Sequence, residues 1–149
     1  MLKIYNLKDK KEYIDEVAIL TQKEWGKLDN FEERIAKKVE KINKLLNTKD
    51  YVKLVLLDDS ILIGFISIFP NDGEEYKELT PWYATMYVKK EYRGLGYSKL
   101  LNDAILKEAK KLGYKKIYLK TNLVDYYEKF GAKYIDNLKN GEKLYYIDL

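Results

Sequence analysis

The sequence predicts a mixed α/β fold whose elements follow the order βααβββαβαββ. Three observations carry that expectation. Segments with apolar residues at helical spacing are interleaved with segments that alternate or run continuously apolar. A turn with two glycines, Arg93-Gly94-Leu95-Gly96, joins an apolar strand directly to an amphipathic stretch. The 149 residues contain no Pro/Gly/Ser-rich linker, no low-complexity tract and no repeat, which points to one domain over 1–149.

In chain order, Leu2-Lys3-Ile4-Tyr5 alternates as a short strand. Tyr13, Ile14, Val17, Ala18 and Leu20 share one face of a helix from about Lys10 to Trp25, and Gly26 ends it. Phe31, Ile35, Val39, Ile42 and Leu46 stripe a second helix, which Asn30 can cap with Glu33 in the capping-box place. Tyr51 to Leu57 and Ile61 to Phe69 are strands joined by Asp58-Asp59-Ser60. Pro70-Asn71-Asp72-Gly73 breaks the chain, and an acidic loop runs on to Glu78. Trp82 to Lys89 is a further strand. Past the glycine turn, Leu100, Leu101, Ala104, Ile105, Ala109 and Leu112 line a helix that stops at Gly113. Lys116 to Lys120 is a strand, and Val124 to Phe130 a short helix stopped by Gly131. Lys133 to Ile135 and Lys143 to Ile147 close the chain around an Asn140-Gly141 turn.

Composition narrows the chemistry. Hydrophobic residues make up 46% and charged residues 35%, the balance of a globular chain. There is no cysteine, which excludes disulfides, thiolate nucleophiles and Cys-based metal sites. There is no histidine, which removes Ser-His-Asp hydrolysis, imidazole ligands and a His base. Proton transfer is left to Asp, Glu, Tyr, Lys, a terminus or water. The 28 Lys and Arg against 24 Asp and Glu leave +4, too small an excess to argue for nucleic acid. The start, Met1 to Asn6, lacks the apolar core of a signal peptide, and the longest apolar run, Ile61 to Phe69, is too short to cross a bilayer. The expected setting is the cytoplasm, with no membrane and no nucleic-acid partner.

The glycine turn carries the most chemistry. Glycines there let the backbone take conformations barred to other residues and approach a ligand. The first helical N–H groups have no internal partner and sit at the positive dipole end, so they suit a pyrophosphate. Ser98 adds a hydroxyl and Arg93 a fixed positive charge. Two familiar phosphate turns do not fit. Lys99 stands where a dinucleotide fingerprint needs its third Gly or Ala, and the ATP-binding Gly-x-x-x-x-Gly-Lys-Ser/Thr string is absent.

Arg93-Gly94-Leu95-Gly96-Tyr97-Ser98 resembles the R/Q-x-x-G-x-G/A acetyl-CoA signature of the GNAT superfamily N-acetyltransferases, with Ser98 in place of the last Gly or Ala. Met86-Tyr87-Val88, Leu100-Leu101, Tyr127-Glu128-Lys129-Phe130-Gly131 and the order of elements also resemble that family, and Glu24-Trp25-Gly26, Phe31-Glu32-Glu33-Arg34 and Leu79-Thr80-Pro81-Trp82 resemble a small bacterial type whose acceptor is open. The resemblance implies a mostly antiparallel, splayed sheet with helices on both faces and acetyl-CoA as cosubstrate in the gap, without a metal. It implies that the backbone of Met86 and Val88 pairs with the pantetheine arm. N–H groups from Arg93, Gly94, Leu95, Gly96, Tyr97, Ser98 and Lys99 would hold the pyrophosphate. Asn122 resembles a pantetheine-contacting asparagine, though capping the next helix explains it equally well.

By the same resemblance Tyr127 protonates the departing thiolate, and its Tyr-x-x-x-Gly spacing selects it over Tyr126. The family's reaction is direct attack of an amine on the thioester. With no histidine, Glu24 is the candidate base, with Glu78 as its competitor. Acids from Asp72 to Glu78 would attract a cationic amine, and Trp25, Trp82 and Tyr83 would line an aromatic pocket. The expected partner is a small-molecule amine, and the resemblance allows a homodimer. A non-catalytic acyl-CoA-binding sensor or interaction module of the same fold is the alternative.

Overall fold

The computed structural model describes residues 1–72 and 74–149. Its strands are β1 (Leu2–Asn6), β2 (Val52–Asp58), β3 (Ile61–Phe69), β4 (Trp82–Val88), β5 (Lys116–Thr121), β6 (Lys133–Asn137) and β7 (Lys143–Asp148). Its helices are α1 (Ile14–Trp25), α2 (Phe31–Leu46) and α3 (Tyr97–Lys111). The strands form one seven-stranded sheet in the order β1-β2-β3-β4-β5-β7-β6. Neighbours pair antiparallel except β4 and β5, which run parallel. A mixed, mostly antiparallel sheet is therefore the observed architecture, as the order of elements and the family resemblance imply.

Helices cover both faces. On one, Leu101, Ile105 and Ala109 of α3 pack on Leu54, Ile63, Ile66, Ile117 and Leu119. On the other, Val17 and Ala18 of α1 and Ile42 and Leu46 of α2 pack on Val55, Leu57, Leu62 and Phe65. Burial on two faces explains why β2 and β3 are nearly continuous apolar runs. Each fully buried Leu, Ile or Phe contributes about 1.5–3 kcal/mol.

Two irregularities of β4 position the site. First, it meets β5 at a single register pair, Trp82 and Tyr118, with the Tyr118 N–H donating to the Pro81 carbonyl at 3.0 Å. Beyond that rung the strands diverge, so the sheet opens at their C-terminal ends. Second, Phe65 opposes Tyr87 while Ser67 opposes Ala84, so β4 carries an extra residue. Thr85 absorbs it with a left-handed φ of 52°. The bulge resets the alternation: Tyr83, Met86 and Val88 face α3, while Tyr87 faces α1 and α2.

Local expectations differ from the structure in three places. The first helix begins at Ile14, because a 3₁₀ turn at Lys11–Tyr13, following another at Leu7–Asp9, occupies its expected start. Asn30 adopts φ 50° and makes no capping bond, so no capping box forms with Glu33. Instead, Arg34 donates from its backbone N–H to the Asn30 carbonyl and from Nε to the Asp29 carbonyl. The helix expected from Val124 to Phe130 contracts to one 3₁₀ turn, Tyr127–Phe130, because Asp125 sits at φ 55° and interrupts it. Of the expected break after Phe69, Gly73 lies outside the described residues.

Candidate active site

The strand β4 ends at Val88, a 3₁₀ turn spans Lys90–Tyr92, and α3 begins at Tyr97. Gly94 and Gly96 hold φ of 79° and 85°, where a side chain is strained. A Cβ at either would meet nothing within 4 Å, so the demand for glycine is conformational and the approach stays open. Leu100 is the first residue of α3 to bond back, to the Gly96 carbonyl. The N–H groups of Tyr97, Ser98 and Lys99 are therefore available at the positive end of a 15-residue helix. Arg93 is held beside them: its Nε donates to the Val88 carbonyl at 2.8 Å, and its guanidinium lies 5.6 Å from the Tyr87 ring centre.

A groove of about 760 Å³ follows the open seam. Met86, Val88, Arg93 and Gly94 line it, together with Gly96, Tyr97, Ser98 and Lys99 from the start of α3. Tyr127 lines its other wall and Glu24 its rim. The fold thus brings together most of the residues singled out in the sequence. It leaves out Leu95, whose side chain is 62% exposed, and Asn122, which is exposed and lines neither cavity described here. Asn122 caps no helix either, since Tyr126 holds that position. Tyr92 and Lys129 also line the groove. Lys129 stands 4.0 Å from the Tyr126 ring centre, and nothing in its spacing distinguished it from other lysines.

Tyr127 is half-buried between two tyrosines, 5.7 Å from the Tyr83 ring and 4.8 Å from the Tyr126 ring, edge to face. Burial, with Tyr126 nearby, pushes its hydroxyl up to about 12. The phenol therefore keeps its proton across the physiological range and is available as a hydrogen-bond donor.

The expected aromatic pocket does not assemble. Trp82 is 1% exposed, and its Nε1 donates to the Leu79 carbonyl. Tyr83 is buried on the α3 face, with its hydroxyl donating to Asn102 at 2.9 Å. Trp25 is 52% exposed and packs edge-on against Tyr87. Trp82 and Tyr83 are neighbours on β4, and strand alternation turns them to opposite faces. Glu78 is exposed and lines neither groove nor cavity.

A second cavity, about 780 Å³, lies between the acidic loop and the β6–β7 hairpin. Glu74, Glu75, Tyr76, Trp82 and Lys120 line it. Two hydrogen bonds tie its walls: the Lys139 N–H donates to Glu75 at 2.7 Å, and the Tyr76 hydroxyl donates to Asp136. Asp72 faces Lys120 at 4.0 Å, and its carboxyl is raised, chiefly by burial. Among the described residues, no cluster suited to a metal ion is present, and no helix is long and apolar enough to cross a membrane.

A family model described as the acetyltransferase (GNAT) family matches residues 14–132, most of the chain. The chain belongs to the GNAT acetyltransferase family. The match runs from the start of α1 past the Tyr127 turn, so it contains the glycine turn and both walls of the groove. Solved structures of other GNAT proteins share the fold. The PaiA N-acetyltransferase of Thermoplasma acidophilum, in complex with coenzyme A, superposes with a TM-score of 0.72 at 22% identity, covering 100% of this chain and 99% of that one. The spermidine/spermine N-acetyltransferase of Vibrio cholerae gives 0.72 at 19% identity, covering 99% and 95%. In sequence, an L-ornithine N5-acetyltransferase of Arabidopsis thaliana is 29% identical over 82 residues, 52% of this chain and 36% of that protein. This GNAT chain thus spans little more than a third of that curated relative's length.

Proposed function

We propose that this protein is an acetyl-CoA-dependent N-acetyltransferase that acetylates a primary amine of a small cationic molecule, its whole length forming one catalytic domain. The observation that carries the reading is the groove at the β4/β5 seam. It has the free N–H groups of α3 at one end and the Tyr127 phenol on its wall. An anion suits the first and a departing thiolate the second.

In this reading the backbone of Met86 and Val88, which has no partner on β5, hydrogen-bonds the pantetheine arm. The turn from Arg93 to Lys99 holds the pyrophosphate. When bound, acetyl-CoA supplies the thioester that the amine attacks. Tyr127 donates a hydrogen bond to the sulfur as charge develops on it. With its hydroxyl near 12 and a thiol near ~8.5, the phenol stabilises the thiolate without surrendering its proton outright. Glu24, on the rim, attracts the cationic acceptor and carries protons to water.

The second cavity offers a cationic acceptor an acidic lining outside the groove itself. Trp82 in its wall pairs with Phe69 and so faces the α1 and α2 side, and the Thr85 hydroxyl bonds Ser67 on that same side. Glu74 and Glu75 favour a cation there, in keeping with relatives named for ornithine and for spermidine and spermine.

Thiol release from acetyl-CoA, followed over a panel including L-ornithine and spermidine, tests the reading. Release that depends on the amine, together with a melting temperature raised by CoA, is the expected result. CoA binding without turnover of any amine points instead to a non-catalytic acyl-CoA module. No stabilisation by CoA refutes the cofactor assignment.

A further inference from the structure

Among the described residues Lys53 is the one buried lysine, at 2% exposure in the middle of β2. No carboxylate is among the groups acting on it. Lys38 faces it from α2, the Phe65 ring centre lies 4.7 Å away on β3, and its Nζ donates to Thr85 Oγ1 at 3.3 Å. Burying an unpaired ammonium is costly, and burial with Lys38 nearby brings this amine down to about 7. A methionine would fill the same space without that cost.

The amine ends a chain of hydroxyls. Tyr51 bonds Ser67, and Ser67 Oγ shares a hydrogen bond with Thr85 Oγ1 at 2.7 Å. Tyr51 and Ser67 are buried, whereas Thr85 is half-buried. Thr85 is also the bulge residue, held at φ 52°, and it immediately precedes Met86 and Tyr87 in the groove wall. A β-branched residue in that conformation is strained, and the bonds to Lys53 and Ser67 hold it there.

We propose that Lys53 is the internal proton acceptor of the transfer, reached through the hydroxyl of Thr85; this rests on the amine-acetylation reading above. In the step, the acceptor nitrogen forms its bond to the acetyl carbon, and the C–S bond breaks with its electron pair leaving on sulfur. The proton shed by that nitrogen passes to Thr85 Oγ1 as the same hydroxyl gives its own proton to Lys53 Nζ. Lys53 returns it along the same path between turnovers, and Glu24 on the rim passes it to water. An amine that is neutral near the working pH is a matched base for this step. A carboxylate is not the sole recourse of a chain without histidine.

The test is kcat against pH, by thiol release with spermidine or L-ornithine, for wild type, Lys53→Met and Thr85→Val. Wild type is expected to lose activity below a midpoint near 7. Both variants are expected to lose that limb and about a hundredfold in kcat at neutral pH, with KM for acetyl-CoA within about twofold. Titration of the lysine side chains by NMR is a second readout, expected to show one amine, absent in Lys53→Met, titrating near 7. An unchanged pH profile in folded variants overturns the proposal while leaving the amine reading intact, as does a Lys53 amine that titrates with the surface lysines. If Lys53→Met does not fold, Thr85→Val and the wild-type titration decide. A wild type that binds CoA but acetylates neither amine refutes the amine reading, and the Lys53 assignment falls with it.

Discussion

At Tyr127 the environment sets both the charge state and the role. Burial against Tyr83 and Tyr126 raises its hydroxyl to about 12, so it is protonated at neutral pH. A group raised in this way loses its proton only as pH climbs through its folded value. Tyr127 should therefore impose no alkaline loss of activity below about pH 11. Tyr127→Phe keeps the ring packing and removes the donor. It is expected to lower kcat by about a hundredfold, with little change in KM for acetyl-CoA, as steady-state kinetics would show. Full activity in that variant would remove Tyr127 from the mechanism. The Tyr-x-x-x-Gly spacing made this residue visible in a chain with 15 tyrosines. Lys53 was not visible, because a lysine inside a strand is ordinarily an outward-facing one, and only the lid formed by α2 closes over it.

Among the elements, the connection from β4 to α3 and the pairing of β3 with β4 together determine the groove. Gly96→Ala places a Cβ in open space but at φ 85°, a cost of about 1–2 kcal/mol in conformation alone. The expected outcome is a severalfold rise in KM for acetyl-CoA with a small fall in melting temperature. Gly64 answers to a different constraint. A Cβ there would come within 2.4 Å of the Tyr87 carbonyl, a backbone atom that cannot swing aside. Gly64→Ala should push β4 outward, lower stability by about 1–3 kcal/mol in a denaturant titration, and weaken CoA binding as the groove wall shifts. The glycine turn was legible because a left-handed backbone leaves glycine as its mark in the sequence. The order of strands and helices was legible because apolar spacing follows burial. The bulge at Thr85 left no such mark, because Trp82 to Lys89 reads as one uninterrupted strand. Trp82 and Tyr83 precede the bulge as strand neighbours, so ordinary alternation puts them on opposite faces and keeps them from sharing one pocket with Trp25.

For the molecule as a whole, a buried amine makes stability depend on pH in a definite direction. The Lys53 amine is lowered from its ordinary value to about 7 in the folded state, so between roughly pH 7 and 10 the unfolded chain binds the extra proton. Stability attributable to Lys53 therefore rises with pH across that window and is lost as pH falls through it. Lys53→Met removes the dependence. The variant's advantage in unfolding free energy over wild type, read by denaturant titration, should grow as pH is lowered from 9.5 to 6, amounting to a few kcal/mol at the acid end. A difference that stays flat with pH would mean that the ammonium finds a partner in the folded protein.

The single rung between Trp82 and Tyr118 has a mechanical consequence. On one side of it stand β1 to β4, and on the other the block of β5, β7 and β6, joined across the seam mainly by side chains of the α3 face such as Ile117, Leu119 and Tyr145. Amides of β4 and β5 along the seam face no strand, so their exchange with solvent deuterium should be fast beside the well-paired β2 and β3. A bound molecule that fills the seam with hydrogen bonds completes the sheet. Deuterium uptake at Met86 to Val88 and at Leu119 to Thr121 should then slow together, as two blades of a hinge become one plate.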